Sequence, residues 1–138
     1  MAECKFCQIA LKAIPSAVVF EDSISLAFLD HRPLFPGHTL LIPKLHYETL
    51  ADLPANLVGP FFSNAQLLAR AVERGMEAQG TFVAINNKVS QSVPHLHIHI
   101  VPRKKGDGLK GFFWPRTKYQ SEEQMREVVE KIREKIGI

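Results

Sequence analysis

The sequence predicts an α+β fold with one antiparallel sheet of about five strands and helices packed on one side of it. Short apolar stretches bounded by turn residues predict the strands, and longer stretches with apolar residues at helical spacing predict the helices. The chain has 138 residues, of which 46% are hydrophobic and 22% charged, as in an ordinary soluble domain. This length is enough for one domain with a single core.

The first half of the chain is predicted to contain one helix and three strands. Apolar residues at helical spacing indicate a helix from Cys4 to about Ile14, and Pro15 ends it. The expected strands are Val18–Glu21, Ile24–Leu29 and His38–Ile42. The first two strands form a hairpin around the turn residues at 22–23.

The second half is predicted to contain the main helix, two strands and a final helix. The main helix is expected from Pro60 to about Gln79, with Gly80 as its stop signal. The residues that we expect it to bury are Phe62, Ala65, Ala69, Val72 and Met76. The remaining elements are expected at Thr81–Ile85, Leu96–Val101 and about Glu122–Lys135.

Residues 94–103 read Pro-His-Leu-His-Ile-His-Ile-Val-Pro-Arg, and three histidines alternate with aliphatic residues. In a strand, this alternation puts His95, His97 and His99 on one face and the aliphatic side chains on the other. Neighbouring imidazoles then lie about 7 Å apart, which suits a polar site with separate roles or metal binding by two rings. A histidine cluster without chemistry is the alternative, and it would need partners for three buried polar rings.

The two cysteines, Cys4 and Cys7, have Cys-x-x-Cys spacing, which in a cytosolic chain indicates a metal half-site or a redox pair. His46 and one histidine of the 95–99 stretch would complete a Cys₂His₂ set, a usual structural zinc complement. The spacing differs from that of a zinc finger, so the fold must bring the two pairs together. Two reduced thiols without a metal are the alternative.

Charge and hydropathy exclude some classes of protein. The net charge is +3 with a pI near 9.0, and many cations lie between Arg103 and Lys118. This basic stretch favours anionic ligands or forms a solvated loop, and a nucleic-acid partner is not expected. The sequence has neither an apolar run of about 18 residues nor a secretory signal, so we expect a cytoplasmic protein without a membrane partner.

The stretch His-Leu-His-Ile-His-Ile-Val resembles the His-φ-His-φ-His-φ-φ signature of the histidine triad superfamily of nucleotide hydrolases and transferases, where φ is hydrophobic. The match extends upstream through Gln-Ser-Val-Pro at 91–94 and downstream through Pro-Arg at 102–103. The resemblance implies a single domain over residues 1–138, with its core at about 4–103. The basic and aromatic loop and the final helix occupy 104–138. It also implies a homodimer in which two sheets join.

The resemblance implies a role for each polar residue near the triad. His97 is expected to be the nucleophile that forms a nucleotidyl-histidine, and His99 to assist catalysis and bind phosphate. The other residues expected near the phosphate or leaving group are Asn86, Gln91 and Ser92. His38 is expected to support the triad from the third strand. For Asn86, Gln91 and His38, an ordinary loop or strand role is the alternative.

The resemblance also implies a nucleoside pocket and a metal site. Asp30 is expected to bind the ribose hydroxyls of a purine nucleotide, because a carboxylate can accept from two hydroxyls. The base is expected to contact Phe6, Ile9, Phe28 and His31. Structural zinc, as in members with an N-terminal Cys-x-x-Cys, is expected on Cys4, Cys7, His46 and His95.

The predicted function is therefore cleavage of the α-phosphorus bond of a purine nucleoside phosphoramidate or dinucleoside polyphosphate. A zinc-stabilised nucleotide-binding regulatory module with little turnover is the alternative. One departure from the family pattern concerns the loop before the triad, where Ser90 stands in place of a glycine. A catalytic metal held by two triad histidines is disfavoured, because no histidine follows His99.

Overall fold

Five antiparallel strands form one sheet in the computed structural model of this chain, which describes residues 3–109 and 116–137. In chain order, β1 to β5 are Val18–Glu21, Ser25–Leu29, Thr39–Pro43, Gly80–Ala84 and Ile98–Arg103. Their order in the sheet is β1-β2-β3-β5-β4, so β4 and β1 are the edges. The predicted five-stranded antiparallel sheet is confirmed.

The chain divides into two compact units, with the boundary between Asp107 and Gly108. The first unit contains the sheet, the helices α1 (Lys5–Ala10) and α2 (Ala55–Gly75), and a short 3₁₀ turn. The second contains the helix α3 (Glu122–Ile136), and the side chain of Ser121, just before it, caps its N-terminus by accepting from the N–H of Gln124. The aromatic part of the loop predicted at 104–121, residues 111–115, lies outside the described residues.

The alternation of side chains along β2 and β3 divides the core into two clusters. Ala27 and Leu41 face the cluster that α2 covers, together with buried residues of β5. Leu26 and Phe28 face the other cluster, which includes both cysteines and the apolar residues of α1. The short helix α1 is thereby packed beside the strands that precede and follow the loop at 30–38.

The main helix begins earlier than predicted, ends at Gly75 rather than about Gln79, and buries a partly different face. It begins at Ala55, and Pro60 lies in its second turn at an exposed position. The residues that it buries are Phe61, Ala65, Leu68 and Val72. Phe62 and Met76 were expected in the core but are 37% and 38% exposed. Both sets repeat at helical spacing, so periodicity alone could not choose between them.

The histidine strand begins two residues later than predicted. Ladder pairing starts at Ile98, because the N–H of Leu96 donates instead to the main-chain carbonyl of Tyr47 at 2.6 Å. The side chains nevertheless alternate as expected. Leu96 and Ile98 are fully buried in the cluster under α2, and His95 and His97 lie on the other side.

The helix α1 also ends earlier than predicted. It stops at Ala10, and Lys12 adopts a left-handed conformation with φ 63°, which breaks the helical path before Pro15. Within residues 3–109 and 116–137, no helix has the length and apolar character needed to cross a bilayer.

Candidate active site and metal centre

A cavity of about 900 Å³ opens between α1, the loop after β2 and the histidine segment. Eight of the predicted site residues line it, and these are Phe6, Ile9, Phe28, Asp30, His31, Ser92, His97 and His99. The volume lies within the range usual for small-molecule sites. The structure therefore brings the expected nucleophile, ribose ligand and base contacts to one cavity.

His97 has one ring nitrogen engaged and the other free. Its Nδ1 lies 2.7 Å from the carbonyl oxygen of His95. Because a carbonyl oxygen can only accept, Nδ1 carries the proton and Nε2 keeps its lone pair. Burial lowers the pKa of His97, which favours the neutral ring. This is the state in which an imidazole can act as a nucleophile.

His38 and His99 form a hydrogen-bonded pair whose proton positions follow from a backbone donor. The N–H of Leu34 donates to Nδ1 of His38 at 3.1 Å, so the neutral His38 ring carries its proton on Nε2. That nitrogen lies 3.0 Å from Nδ1 of His99 and donates to it. His99 must then carry its own proton on Nε2, which makes it a hydrogen-bond donor on the cavity wall.

Burial keeps both members of this pair neutral. It lowers the pKa of His99 to about 4, with His97 and His38 adding smaller effects in the same direction. It also lowers the pKa of His38, although the nearby carboxylate of Asp30, 3.7 Å from Nε2, acts in the opposite direction. The donor role of His99 is thus available at neutral pH without a net positive charge.

Asp30 and the aromatic residues line the cavity beside the histidines. One carboxylate oxygen of Asp30 accepts from the N–H of Arg32 at 2.9 Å, which fixes the loop after β2. The ring of Phe6 meets Phe28 edge to face with centroids 5.4 Å apart. Phe6 also meets His97 edge to face at 5.1 Å. The cavity thus has an apolar wall directly beside His97.

Two expected phosphate-side residues do not line the cavity. Gln91 donates from Nε2 to the carbonyl of Glu48 at 2.6 Å and accepts from the N–H of Lys88 at 2.8 Å. Its amide holds the loop before the triad, and neither it nor Asn86 is on the cavity wall. Their contacts with phosphate stay predictions. Sequence reasoning missed the cations Lys5 and Arg32, which line the cavity.

The predicted metal ligands converge in the first unit. One ligand atom from each of Cys4, Cys7, His46 and His95 lies within 4.8 Å of all the others, so the four can hold a metal ion. Sγ of Cys4 lies 3.4 Å from Nδ1 of His95, and Sγ of Cys7 lies 3.3 Å from Nδ1 of His46. Ligands of a tetrahedral zinc ion are about 3.6 Å apart, so the spacing fits.

The protonation pattern of this cluster also fits a metal. Nε2 of His95 lies 2.8 Å from the carbonyl of Pro43 and must donate to it, which leaves Nδ1 free as a ligand. Burial lowers the pKa of His95 to about 4, so the ring is neutral, as a metal ligand must be. Burial and the neighbouring Cys4 raise the pKa of the Cys7 thiol, and a cation would offset this effect.

A second convergent set, Asp30, His38 and His99, does not fit a metal equally well. A metal on Nε2 of His38 would require the proton of that ring on Nδ1. That nitrogen already accepts from the N–H of Leu34, so a proton there would clash with the amide. The hydrogen bonds described above satisfy both ring nitrogens of His38 and Nδ1 of His99 without an ion.

Comparison with known proteins agrees with this geometry. The family model described as "HIT domain" matches residues 12–106, about two thirds of the chain. The chain belongs to the HIT family. The sequence is 44% identical over 114 residues to "Protein hit" of Bacillus subtilis, across 80% of this chain and 78% of that protein. The predicted resemblance to histidine triad proteins is confirmed.

Two further HIT relatives have named activities. The chain is 38% identical over 109 residues to "Adenylylsulfatase HINT3" of Arabidopsis thaliana, across 78% of this chain but only 55% of that protein. It is 37% identical over 105 residues to "Adenosine 5'-monophosphoramidase HNT1" of Saccharomyces cerevisiae, across 75% of this chain and 64% of that protein. The chain thus spans a little over half of these two relatives, and their names support nucleotide hydrolase activity in the family.

Solved structures of HIT proteins share the fold. A protein of Streptococcus mutans, SMU.412c, superposes with a TM-score of 0.90 at 33% identity, across 99% of this chain and 87% of that one. A zinc-bound histidine triad protein of Mycobacterium smegmatis superposes with a TM-score of 0.74 at 38% identity, across 91% and 89%. Zinc is therefore compatible with this fold.

Proposed function

We propose that this HIT protein cleaves the α-phosphorus bond of a purine nucleoside phosphoramidate or a dinucleoside polyphosphate. The reaction proceeds through a covalent nucleotidyl-histidine at His97. The observation that carries this proposal is the hydrogen bond from Nδ1 of His97 to the carbonyl of His95, which leaves Nε2 as a free nucleophile on the cavity wall. The named activities of HIT relatives support a nucleotide substrate.

The first chemical step is attack on phosphorus. The lone pair of Nε2 of His97 forms the new bond, and the bond to the leaving group breaks with its electron pair on that group. A polyphosphate leaves as an anion, and an amine takes its proton from solvent. His97 retains the proton on Nδ1 and becomes positively charged, and the carbonyl of His95 stabilises that charge. Water then attacks phosphorus and gives up a proton to solvent, and the bond from phosphorus to Nε2 breaks with its electron pair on the nitrogen, which releases the nucleotide and restores the neutral ring.

Hydrogen-bond donors at the cavity wall stabilise the developing charge on the phosphate oxygens. His99 presents its Nε2–H because Nδ1 accepts from His38. Ser92 also lines the cavity and contributes a hydroxyl. Donors that are already oriented before the reaction lower its barrier, because they need no reorganisation in the transition state.

The rest of the cavity suits a nucleoside. The apolar side chains of Phe6, Ile9 and Phe28 are buried and line it, so they offer a surface for a purine base. Asp30 lines the same cavity, with one carboxylate oxygen 3.7 Å from Nε2 of His38, and can accept from the ribose hydroxyls. His31 lies at the exposed rim.

We further propose that Cys4, Cys7, His46 and His95 hold structural zinc, a proposal that the convergence of their ligand atoms supports. All four positions of a tetrahedral ion are filled by protein, so the metal would activate no water. A homodimer is proposed through β4, which is an edge of the sheet and exposes 47% of Val83.

The test is release of the nucleotide product from adenosine 5′-phosphoramidate and from diadenosine tetraphosphate. Wild type is expected to release AMP from one or both, and His97→Asn to lose at least about 10³-fold in kcat/KM. His97→Asn is expected to keep its affinity for AMP and its zinc. If wild type binds AMP but turns over neither substrate, the regulatory binding module becomes the better account.

A further inference from the structure

The metal-site residues contact the same peptide unit that orients the nucleophile. The carbonyl of His95, which accepts from His97, belongs to the peptide between His95 and Leu96. The N–H of this peptide donates to the carbonyl of Tyr47 at 2.6 Å. Because the C=O and N–H of a planar trans peptide point in opposite directions, the two hydrogen bonds together fix its plane.

The His95–Leu96 peptide and the carbonyl of Tyr47 that accepts from it are both directly adjacent in sequence to predicted metal ligands. His95 is itself a ligand, and its ring is held at Nδ1 by the thiols and at Nε2 by the carbonyl of Pro43. Tyr47 directly follows His46, the ligand from the loop after β3. β3 ends at Pro43 and β5 begins only at Ile98, so neither segment is fixed by pairing in the sheet.

A second connection runs through Phe6, which lies between Cys4 and Cys7 in the sequence. Its ring meets His97 edge to face at 5.1 Å and His95 at 6.0 Å. Only two residues separate the cysteines, so holding both thiols on one ion fixes the backbone that carries Phe6. The metal site thus contacts the nucleophile from two sides, through a carbonyl and through an aromatic edge.

We propose that the four metal ligands are positioning residues for His97, and this rests on the nucleophilic role proposed above. With the metal held, the peptide after His95 keeps its carbonyl on Nδ1 of His97, and Phe6 keeps the ring in place. Without the metal, the segments that carry His46 and His95 lose their shared ligand and are joined only by hydrogen bonds, such as that from the N–H of Leu96 to the carbonyl of Tyr47. His97 then also populates the tautomer protonated on Nε2, which has no lone pair for the substrate.

The test is the tautomer of His97, read by nitrogen NMR of the full chain labelled in its histidine rings. The signal is assigned by comparison with His97→Asn, at mildly alkaline pH. Zinc-loaded wild type is expected to show only the Nδ1–H form. Chelated wild type and His46→Ser are expected to show both tautomers and to bind AMP about tenfold more weakly.

Two matched variants separate positioning from general stability. His46→Cys supplies a thiolate ligand in place of the imidazole and is expected to restore zinc and the single tautomer. Val72→Ala removes packing in α2, away from the metal site, and is expected to lower stability with zinc and tautomer unchanged. Circular dichroism checks that each variant is folded.

A folded, zinc-free His46→Ser protein with only the Nδ1–H form would overturn the proposal, whatever its turnover. If neither His46→Ser nor chelated wild type folds, the metal acts through folding alone and the proposal also fails. A single Nδ1–H tautomer in a zinc-loaded protein that lacks turnover would instead contradict the proposed function. The two failures are therefore distinguishable.

Discussion

His38 donates a hydrogen bond from Nε2 to Nδ1 of His99 across 3.0 Å. His38 is the donor in this hydrogen bond because its other ring nitrogen, Nδ1, accepts from the N–H of Leu34. The amide of Leu34 thus fixes the tautomer of His38, which in turn fixes the tautomer of His99, and His99 presents Nε2–H as a donor to the cavity.

His38→Phe removes the donor that sets the tautomer of His99, so we expect kcat to fall about 10- to 100-fold. AMP affinity should change little, since His38 does not line the cavity. His38→Gln offers both a donor and an acceptor at similar reach and should recover part of the loss. Steady-state kinetics on adenosine 5′-phosphoramidate provide the measurement, and equal rates for all three proteins would contradict the relay.

Stability should fall as the pH decreases from about 6.5 towards 4. The pKa of His99 is lowered by burial to about 4 from its usual 6.5, so the unfolded chain binds a proton in this range before the folded one does. The contribution is fully present above pH 6.5 and amounts to on the order of 3 kcal/mol. The free energy of unfolding, measured in urea at several pH values, should change less steeply with pH for His99→Asn than for wild type. If the free energy of unfolding depended on pH equally in both proteins, His99 would be excluded as a source of this dependence.

Cys4→Ser should lose zinc and unfold more easily, by about 3 kcal/mol or more, because metal binding contributes directly to folding free energy. The check is thermal unfolding with and without a chelator, with zinc content measured on the same samples. Chelation should destabilise wild type and leave Cys4→Ser almost unchanged. If the thermal unfolding midpoint of wild type were the same with and without the chelator, a stabilising metal would be excluded.

Ser90→Gly should stabilise the protein by up to about 1 kcal/mol. Ser90 has φ 61°, in the left-handed region where a side chain is strained and glycine is not. The glycine also makes the unfolded chain more flexible, which offsets part of the gain. Gly37→Ala is the opposite case, since Gly37 has φ 99° and a Cβ there would lie 2.5 Å from Cγ of Met76. Urea unfolding should place the two variants on opposite sides of wild type.

The loop before the triad adopts left-handed backbone conformations at two residues that are not glycine, with φ 69° at Lys88 and φ 61° at Ser90. Ser90 is the position where the family pattern has a glycine, the residue that adopts such a conformation without strain. The sequence shows the substitution but not the backbone angle, which only the structure gives.

The sequence predicts the parts of the site that depend on side-chain type and alternation. Alternating histidines and aliphatic residues put the imidazoles of His95, His97 and His99 on one face and the aliphatic side chains on the other, and the structure has this arrangement, with His95 and His97 buried as well. The two cysteines indicate a half-site that His46 and one triad histidine could complete, and the resemblance specifies His95 as that histidine. The sheet is predictable for the same reason, because each strand has a distinctive apolar pattern.

The parts that the sequence does not predict depend on backbone atoms. The groups that set the tautomers are the N–H of Leu34 and the carbonyls of Pro43 and His95. Almost every residue has these main-chain groups, so the sequence does not show which of them contact a histidine ring. The buried face of α2 was also wrong in part, because helical spacing fits Phe61 and Phe62 equally well. Tertiary contacts, rather than periodicity, choose Phe61.

The most direct test of the account is the intact mass of the protein after brief mixing with adenosine 5′-phosphoramidate. The quench should be alkaline, because the phosphorus–nitrogen bond of a phosphohistidine is labile in acid. Wild type should gain the mass of one adenylyl group, and His97→Asn should gain none while still binding AMP. An adduct on His97→Asn, or AMP release by wild type without any adduct at any mixing time, would contradict covalent catalysis at His97.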